Sequence, residues 1–430
     1  MNVRPGNRQF TTAKAALWLL LLINLFNYID RYILAAVLPR IRQDFLAGDP
    51  NQFQKAGWLF PAFLISYMCA APIFGWLADR ASRWRLIAIS VALWSLASGW
   101  SGVATAFVVL LCTRAFVGIG EAGYGPAAPT ILSDLYPIER RGRTLAYFYL
   151  AMPVGGALGY AFGGKISDLL GWRWAFYLVV PPGLLLAALC LLMRDPRSRS
   201  SSKEQVPKLR ATRADYVTLL RTPSYLINTA AMTALTFAIG GISAWVPDYI
   251  YSDRGREFVQ SDNLLGNINL TFGAITAVAG FFATLLGGWT GDSLRKRFAN
   301  SYFLVSGVAV LFAFPATIGM LYIRFPGAWV CIFLAVFFLF FNTGPTNTAL
   351  ANVTSPKVRA TAFAVNIFII HLFGDMASPP LIGAIRDRSS MNVAFFVVSI
   401  TILFAGIFWF WGAKYLARDT AAIESASVSI

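Results

Sequence analysis

GWLADRASRWR, Gly75 to Arg85, is a polar and basic island between two long apolar runs, residues 54–77 and 86–106. Each run has the length and apolarity of a helix that crosses a membrane. The island recurs as GGWTGDSLRKR, Gly287 to Arg297, after the apolar run 264–289 and before the run 300–322. Both copies read glycine, a few residues, aspartate, then clustered basic residues. A second echo pairs Pro137-IERRGRTLA with Pro356-KVRATAFA. Each of these precedes a span ending in Gly, a few residues and Asp, at Lys165 to Asp168 and at Arg386 and Asp387. Two echoes in the same order mark a repeated unit, as expected of a chain built from two parallel halves.

Composition agrees with a lipid environment. Of 430 residues, 57% are hydrophobic and 13% charged, where a soluble domain carries about 25% charged residues. Twelve apolar stretches follow, at 14–39, 54–77, 86–106, 107–134, 143–168, 173–194, 225–250, 264–289, 300–322, 327–352, 360–385 and 392–416. Lipid offers no partner to stray backbone groups, so each must be a helix. They are too long and too uniformly apolar for barrel strands. The expected fold is all-α and polytopic, twelve transmembrane helices in two six-helix halves. Residues 1–194 form one bundle, 195–221 a cytoplasmic linker, and 222–430 the second bundle.

The net charge of +16 suggests nucleic acid only until its placement is read. With the N-terminus inside, the basic residues gather in the inner loops, at Arg4, Arg8, Lys14, Arg80, Arg83, Arg85, Arg140, Arg141, Arg143 and from Arg194 to Arg221. This is the positive-inside bias, which places both termini in the cytoplasm and nucleic acid out of consideration. The four cysteines lie in apolar spans and imply no disulfide framework. The first apolar stretch is too long for a signal-peptide core and lacks a small-residue cleavage site.

The Gly75–Arg85 loop resembles the signature between helices two and three of the major facilitator superfamily. There the resemblance makes Asp79 a cap on a helix end of the other half, while the basic residues hold the inner side closed. Gly75, Asp79, Arg80, Arg83 and Arg85 match; Ala81-Ser82 replaces a glycine common in that motif. The second copy keeps Asp292, Arg295, Lys296 and Arg297. Asp134, at the inner end of span four, joins this gate set. A closer resemblance is to the spinster family, through NYIDRYILAAVLP (Asn27 to Pro39), FVGIGEAGYGPAAPTILSDLYP (Phe116 to Pro137), YFYLAMPVGGALGY (Tyr147 to Tyr160) and HLFGDMASPPLIGAI (His371 to Ile385). It implies a proton-linked exporter of amphiphilic lipids, among them sphingosine-1-phosphate and lysophospholipids.

Four charged residues sit inside apolar spans: Asp30 and Arg31 in the first, Arg114 and Glu121 in the fourth. Ionisable groups at bilayer depth are costly and mark function by default. Arg114 and Glu121 share a helix face but lie roughly 10 Å apart along the axis, and Arg114 leans away from Glu121. The expected contacts therefore cross between helices, Asp30 with Arg114, and Glu121 with Arg31 or with Arg114 through water. Glu121 is the first choice for the proton carrier and Asp30 the second. The competing reading is a static neutral network that fixes helix packing.

His371 and Asp375 share a face of span eleven, as a second proton or headgroup site or as a plain packing pair. Arg31 and Arg114 suit an anionic headgroup. Asn27, Tyr28, Asn228, Asn342, Thr346, Asn347 and Asn366 are polar groups able to meet substrate, and Phe63, Tyr67, Met152, Trp245 and Phe272 would suit an acyl chain. No metal site, cofactor or enzymatic constellation is visible. The expectation is a monomeric transporter in the plasma membrane, the inner membrane of a Gram-negative cell, exchanging protons for an amphiphilic lipid. Its rivals are a proton symporter of a small organic anion or sugar acid, and a non-transporting receptor or scaffold.

Overall fold

The computed structural model describes residues 6–136, 138–195 and 212–428. Among them the regular structure is entirely helical. Ten segments are long and apolar enough to cross a membrane: α1 (Ala13–Leu46), α2 (Gln52–Ala78), α4 (Phe107–Leu135), α6 (Trp172–Leu191), α7 (Pro223–Ser252), α8 (Leu264–Arg295), α9 (Ser301–Tyr322), α10 (Gly327–Asn352), α11 (Thr361–Arg388) and α12 (Met391–Ser425). The two remaining expected spans are filled by α3 (Arg83–Gly102) and α5 (Ala151–Leu170). These are less apolar because α3 carries Ser90, Ser95, Ser98 and Ser101, and α5 is rich in glycine and ends with Lys165 and Asp168. The twelve-helix architecture expected from the repeats is the one observed.

Prolines break the helices at informative places. A proline has no N–H for the carbonyl four residues back. Pro153 thus offers the Tyr149 carbonyl no helical donor, and α5 starts afresh at Ala151 after the helix Ile138–Tyr149. Pro126 does the same to Ala122, so α4 turns at Gly123, two residues beyond Glu121. Pro379 and Pro380 disturb α11, where His371–Asp375 form a π-turn, a distortion common at functional sites.

Helices α1–α6 pack mainly on one another, as do α7–α12, and the two groups meet through α1 with α7, α5 with α8, and the start of α2 with α11. Among the described residues, all hydrogen bonds between the groups lie toward the end of the bundle that holds Asp49. The Tyr160 hydroxyl donates to Ser243 O at 2.6 Å, and Asn269 Nδ2 donates to Ala36 O at 3.1 Å. Arg42 meets Asp248 through Nη2–Oδ1 at 3.0 Å and Nε–Oδ2 at 3.3 Å, with both side chains buried. At the opposite end, where Asp195 and Thr212 flank the linker, no hydrogen bond or ion pair joins the groups among the described residues. Among the described residues the two halves are tied at the Asp49 end.

Much of the expected linker, 196–211, is outside the described residues. It resumes at Thr212, which caps the short helix Arg213–Arg221 in a reciprocal capping box with Asp215. Hydrogen bonds from the Thr212 backbone and hydroxyl hold the Asp215 carboxyl below the usual carboxylate range.

Candidate transport site

Helical rotation places Asp30 and Arg31 of α1 about 100° apart, so they address different neighbours. Arg31 reaches Glu121 of α4, with Nε at 2.7 Å and Nη2 at 2.6 Å from Oε2. The carboxylate is 1% exposed and the guanidinium side chain 28%, so the pair has one face toward the interior of the bundle. Aromatic rings surround the cation, with Phe63 at 4.8 Å, Tyr28 at 5.3 Å and Tyr67 at 5.6 Å from its carbon to the ring centroids. The rings of α2 come this close because α4 has Gly118 opposite Phe63 and Ser66. A Cβ there would fall inside van der Waals contact with the Phe63 carbonyl and the Ser66 hydroxyl.

Asp30 turns to α3 and accepts a hydrogen bond from the Ser98 hydroxyl. The direct Asp30–Arg114 pair expected from helix depth is not formed: no hydrogen bond or ion pair joins them, although Arg114 is the stronger charged neighbour of Asp30. Arg114 is 1% exposed and stacks at 5.9 Å from the Phe176 ring. Its Nε and Nη1 have no protein partner, nor does Asp30 Oδ2, while the Asn27 side chain faces the Glu121 carboxylate. Three buried polar atoms on two helices thus remain unsatisfied, a costly arrangement unless water or ligand completes it.

This cluster opens on a cavity of about 180 Å³ between the halves. One wall carries Tyr28, Arg31 and Arg114. The facing wall, from α7 and α11, carries Ser243 and Asp375, and most of the remaining lining is apolar, including Leu34, Leu59, Phe60 and Ile239. His371 lies beside the cavity rather than on it, its Nδ1 3.0 Å from both Asp375 oxygens. The π-turn turns Asp375 inward against α7, where Gly240 leaves room for it.

Several expected substrate contacts fall elsewhere. Trp245 is fully buried and donates to Pro379 O at 3.0 Å. Asn342 and Thr346 are buried within the second half and bond along their own helix. Asn228 joins Thr346 O and Trp409, and Asn366 joins Thr229. Met152 is exposed on α5 and does not line the cavity. Each of these spans has polar residues on more than one face, and the sequence alone does not say which of them looks into the cavity. Ser98 was missed, though Ser95, Ser98 and Ser101 form a stripe at helical spacing; Ser101 bonds Thr113 of α4 at 2.8 Å.

The residues expected to form a gate fall into two separate clusters. Arg83, fully buried, binds Asp134 at 2.8 Å and Asp195 at 2.8 Å, and also Thr130. Asp134 therefore does join the basic loop, with Asp195 an added partner from the end of α6. Arg80 lies 4.2 Å over the Trp76 ring, Arg85 is exposed, and Gly75 has open space beside it. The Asp79 side chain is outside what is described. In the second half, Tyr302 donates to Asp292 at 2.8 Å, and Arg295 pairs with Glu424 at 3.1 Å. No bond joins the two clusters among the described residues.

A twelve-helix membrane protein with paired charges buried at the junction of two halves is built as a carrier. The profile described as "Major Facilitator Superfamily" matches residues 20–374. Among similar proteins, Protein spinster of Drosophila melanogaster is 36% identical over 373 residues, covering 85% of this chain and 60% of that protein. Protein spinster homolog 1 of Homo sapiens is 35% identical over 86% of this chain and 72% of its own. The Sphingosine-1-phosphate transporter SPNS2 of Danio rerio is 32% identical over 97% and 89%. A bacterial homolog of the human lysosomal transporter Spinster, solved inward-facing and unoccupied, aligns with TM-score 0.80 and 22% identity, covering 97% of this chain and 99% of that one. A D-xylose-proton symporter aligns at 0.69 and 16%, over 93% and 96%, a likeness of fold alone. The chain belongs to the major facilitator superfamily and, within it, to the spinster-like family of transporters. That membership sets aside the receptor or scaffold reading.

Proposed function

We propose that the protein is a proton-coupled secondary active transporter of an amphiphilic lipid with an anionic headgroup, of lysophospholipid or sphingosine-1-phosphate type. The observation that carries this reading is the Arg31–Glu121 pair beside the unpartnered nitrogens of Arg114, on the wall of a largely apolar cavity. An anionic oxygen entering there meets free N–H groups on Arg114 and competes with Glu121 for Arg31. A carboxylate parted from its guanidinium in apolar surroundings takes up a proton. Substrate and proton then exchange through one network, with Glu121 as first carrier and Asp30, held by Ser98, as second. Asp375 on the facing wall suits an ammonium on the same headgroup.

The apolar lining favours a lipid over a sugar acid, whose hydroxyls need many hydrogen-bond partners. A volume of about 180 Å³ holds a headgroup but falls below the roughly 300–1,000 Å³ of a complete ligand pocket. The acyl chain therefore extends beyond it, toward the open end and the bilayer. The halves, 1–194 and 222–430, rock about this site while the linker 195–221 tethers them. The linker end is cytoplasmic by its basic loops, the protein is a monomer of the plasma membrane (inner membrane in a Gram-negative cell), and Gly75, Asp79, Arg80, Arg83, Arg85, Asp134, Asp292 and Arg295 close that end in the alternate state.

Reconstitution in liposomes tests the reading, following labelled lysolipid and a labelled sugar acid with and without a pH gradient. The expected result is lysolipid movement driven by the gradient, and movement indifferent to it in Glu121→Gln. Gradient-driven uptake of the sugar acid alone overturns the lipid. An unchanged pH response in Glu121→Gln overturns the coupling role.

A further inference from the structure

The echo at the ends of spans five and eleven has a structural counterpart that neither the cavity nor the gate loops use. In α5 the sequence is Gly164-Lys-Ile-Ser-Asp168, and in α11 it is Gly383-Ala-Ile-Arg-Asp387. Residues four apart share a helix face, so each glycine lies one turn before its aspartate on the same side. Both faces press on the opposite half. A Cβ on Gly164 would lie 2.7 Å from Asn269 Cβ of α8, and one on Gly383 would overlap the Phe53 carbonyl of α2.

The aspartates then do the same thing twice. Asp168 Oδ2 accepts the Gly266 N–H at 2.6 Å, in the first turn of α8. Asp387 accepts the Phe53 N–H at 3.0 Å and the Gln54 N–H at 2.8 Å, in the first turn of α2. Those N–H groups have no partner within their own helices, and a carboxylate meets both their hydrogens and the positive end of the helix dipole. Helix eleven is the counterpart of helix five in the six-plus-six repeat, and helix two that of helix eight. Each half thus supplies one aspartate and receives one.

We infer that Asp168 and Asp387 are duplicated positioning residues of the transport cycle, a two-point latch that holds the halves together at the Asp49 end. Each glycine sets the approach that lets its aspartate reach across. Opening this end requires both caps to be released, so the latch sets how the closed and open states are populated. The inference rests on alternating access but on no particular substrate or proton carrier.

Spin labels on Lys55 and Val259, one exposed residue from each half, report separation at the Asp49 end of the full-length protein. Labels on Leu192 and Phe298, both exposed, report the linker end. Loss of a helix cap shifts an equilibrium roughly fivefold. Asp168→Ala or Asp387→Ala is expected to raise the population open at the Asp49 end by that factor, the double variant by about 25-fold, and the linker end to close in step. Asp→Asn, which keeps one acceptor oxygen but no charge, should fall between. Gly383→Ala, with both aspartates intact, should give the same shift by holding the surfaces apart. Unchanged distance distributions in the folded double variant and in Gly383→Ala overturn the latch, whatever the liposomes show about lipid or protons. Widening at one end without closure at the other also overturns it, since a merely weakened contact would do that.

Discussion

At the residue scale the arginines of the site are not equivalent. Arg31 is held by a carboxylate and three rings; Arg114 is buried with two nitrogens unpaired. A lysine at position 31 would keep the charge but lose the planar fork and the stacking. Cation–π contact is worth about 0.5–2 kcal/mol for such a cation. Arg31→Lys is accordingly expected to raise the apparent KM for lipid about tenfold while leaving the response to a pH gradient in place, measured in the same liposomes. The Arg31–Glu121 contact was one of the pairings legible in the sequence, because depth and helix direction left few partners. The hydrogen bond from Ser98 to Asp30 was not, since serine is common in such helices. Phe63 and Tyr67 read as acyl-chain contacts from composition. Their role around a cation depends on Gly118, which no local pattern marks as the point where α2 and α4 touch.

At the element scale, α4 and α11 are both broken beside a charged group. The cause is the same in each: a proline four or five residues further on removes a backbone donor. The twelve spans were legible because hydropathy and length suffice for them. Which face of a span looks inward was not, and Trp245, Asn342 and Thr346, expected to meet substrate, lie away from the cavity. Close approach of α2 to α4 can be tested without touching a charge. Gly118→Ala inserts a methyl against backbone, which forces the helices apart at a cost of about 1–3 kcal/mol. It should lower the melting temperature in detergent and weaken lipid binding together. Gly75→Ala meets open space and should leave the melting temperature unchanged, even though the loop motif singles that glycine out.

At the scale of the whole molecule, the halves are joined at one end by a buried ion pair, Arg42 with Asp248. Replacing such a pair by apolar residues of similar size is often stabilising, by about 1–4 kcal/mol. The double variant Arg42→Met with Asp248→Leu should therefore melt higher than the parent and transport more slowly, since the two ends could no longer exchange. A faster carrier with an unchanged melting temperature would contradict this. Asp248→Asn alone leaves Arg42 buried without its charge partner. It should act in the opposite direction, favouring the state in which water reaches Arg42. The repeat was visible as an echo of letters at Asp168 and Asp387, but the helix ends that receive those aspartates carry no sequence mark of their own.

The reciprocal contact at those aspartates has a consequence for ancestry. A surface on which the fifth helix gives a carboxylate and the second helix accepts it is self-complementary, the property of an interface between identical subunits related by a twofold axis. Two copies of a single six-helix unit would form both contacts without any further change. The fused chain keeps at Gly164–Asp168 and Gly383–Asp387 the geometry by which a half-sized forebear would have recognised its own twin.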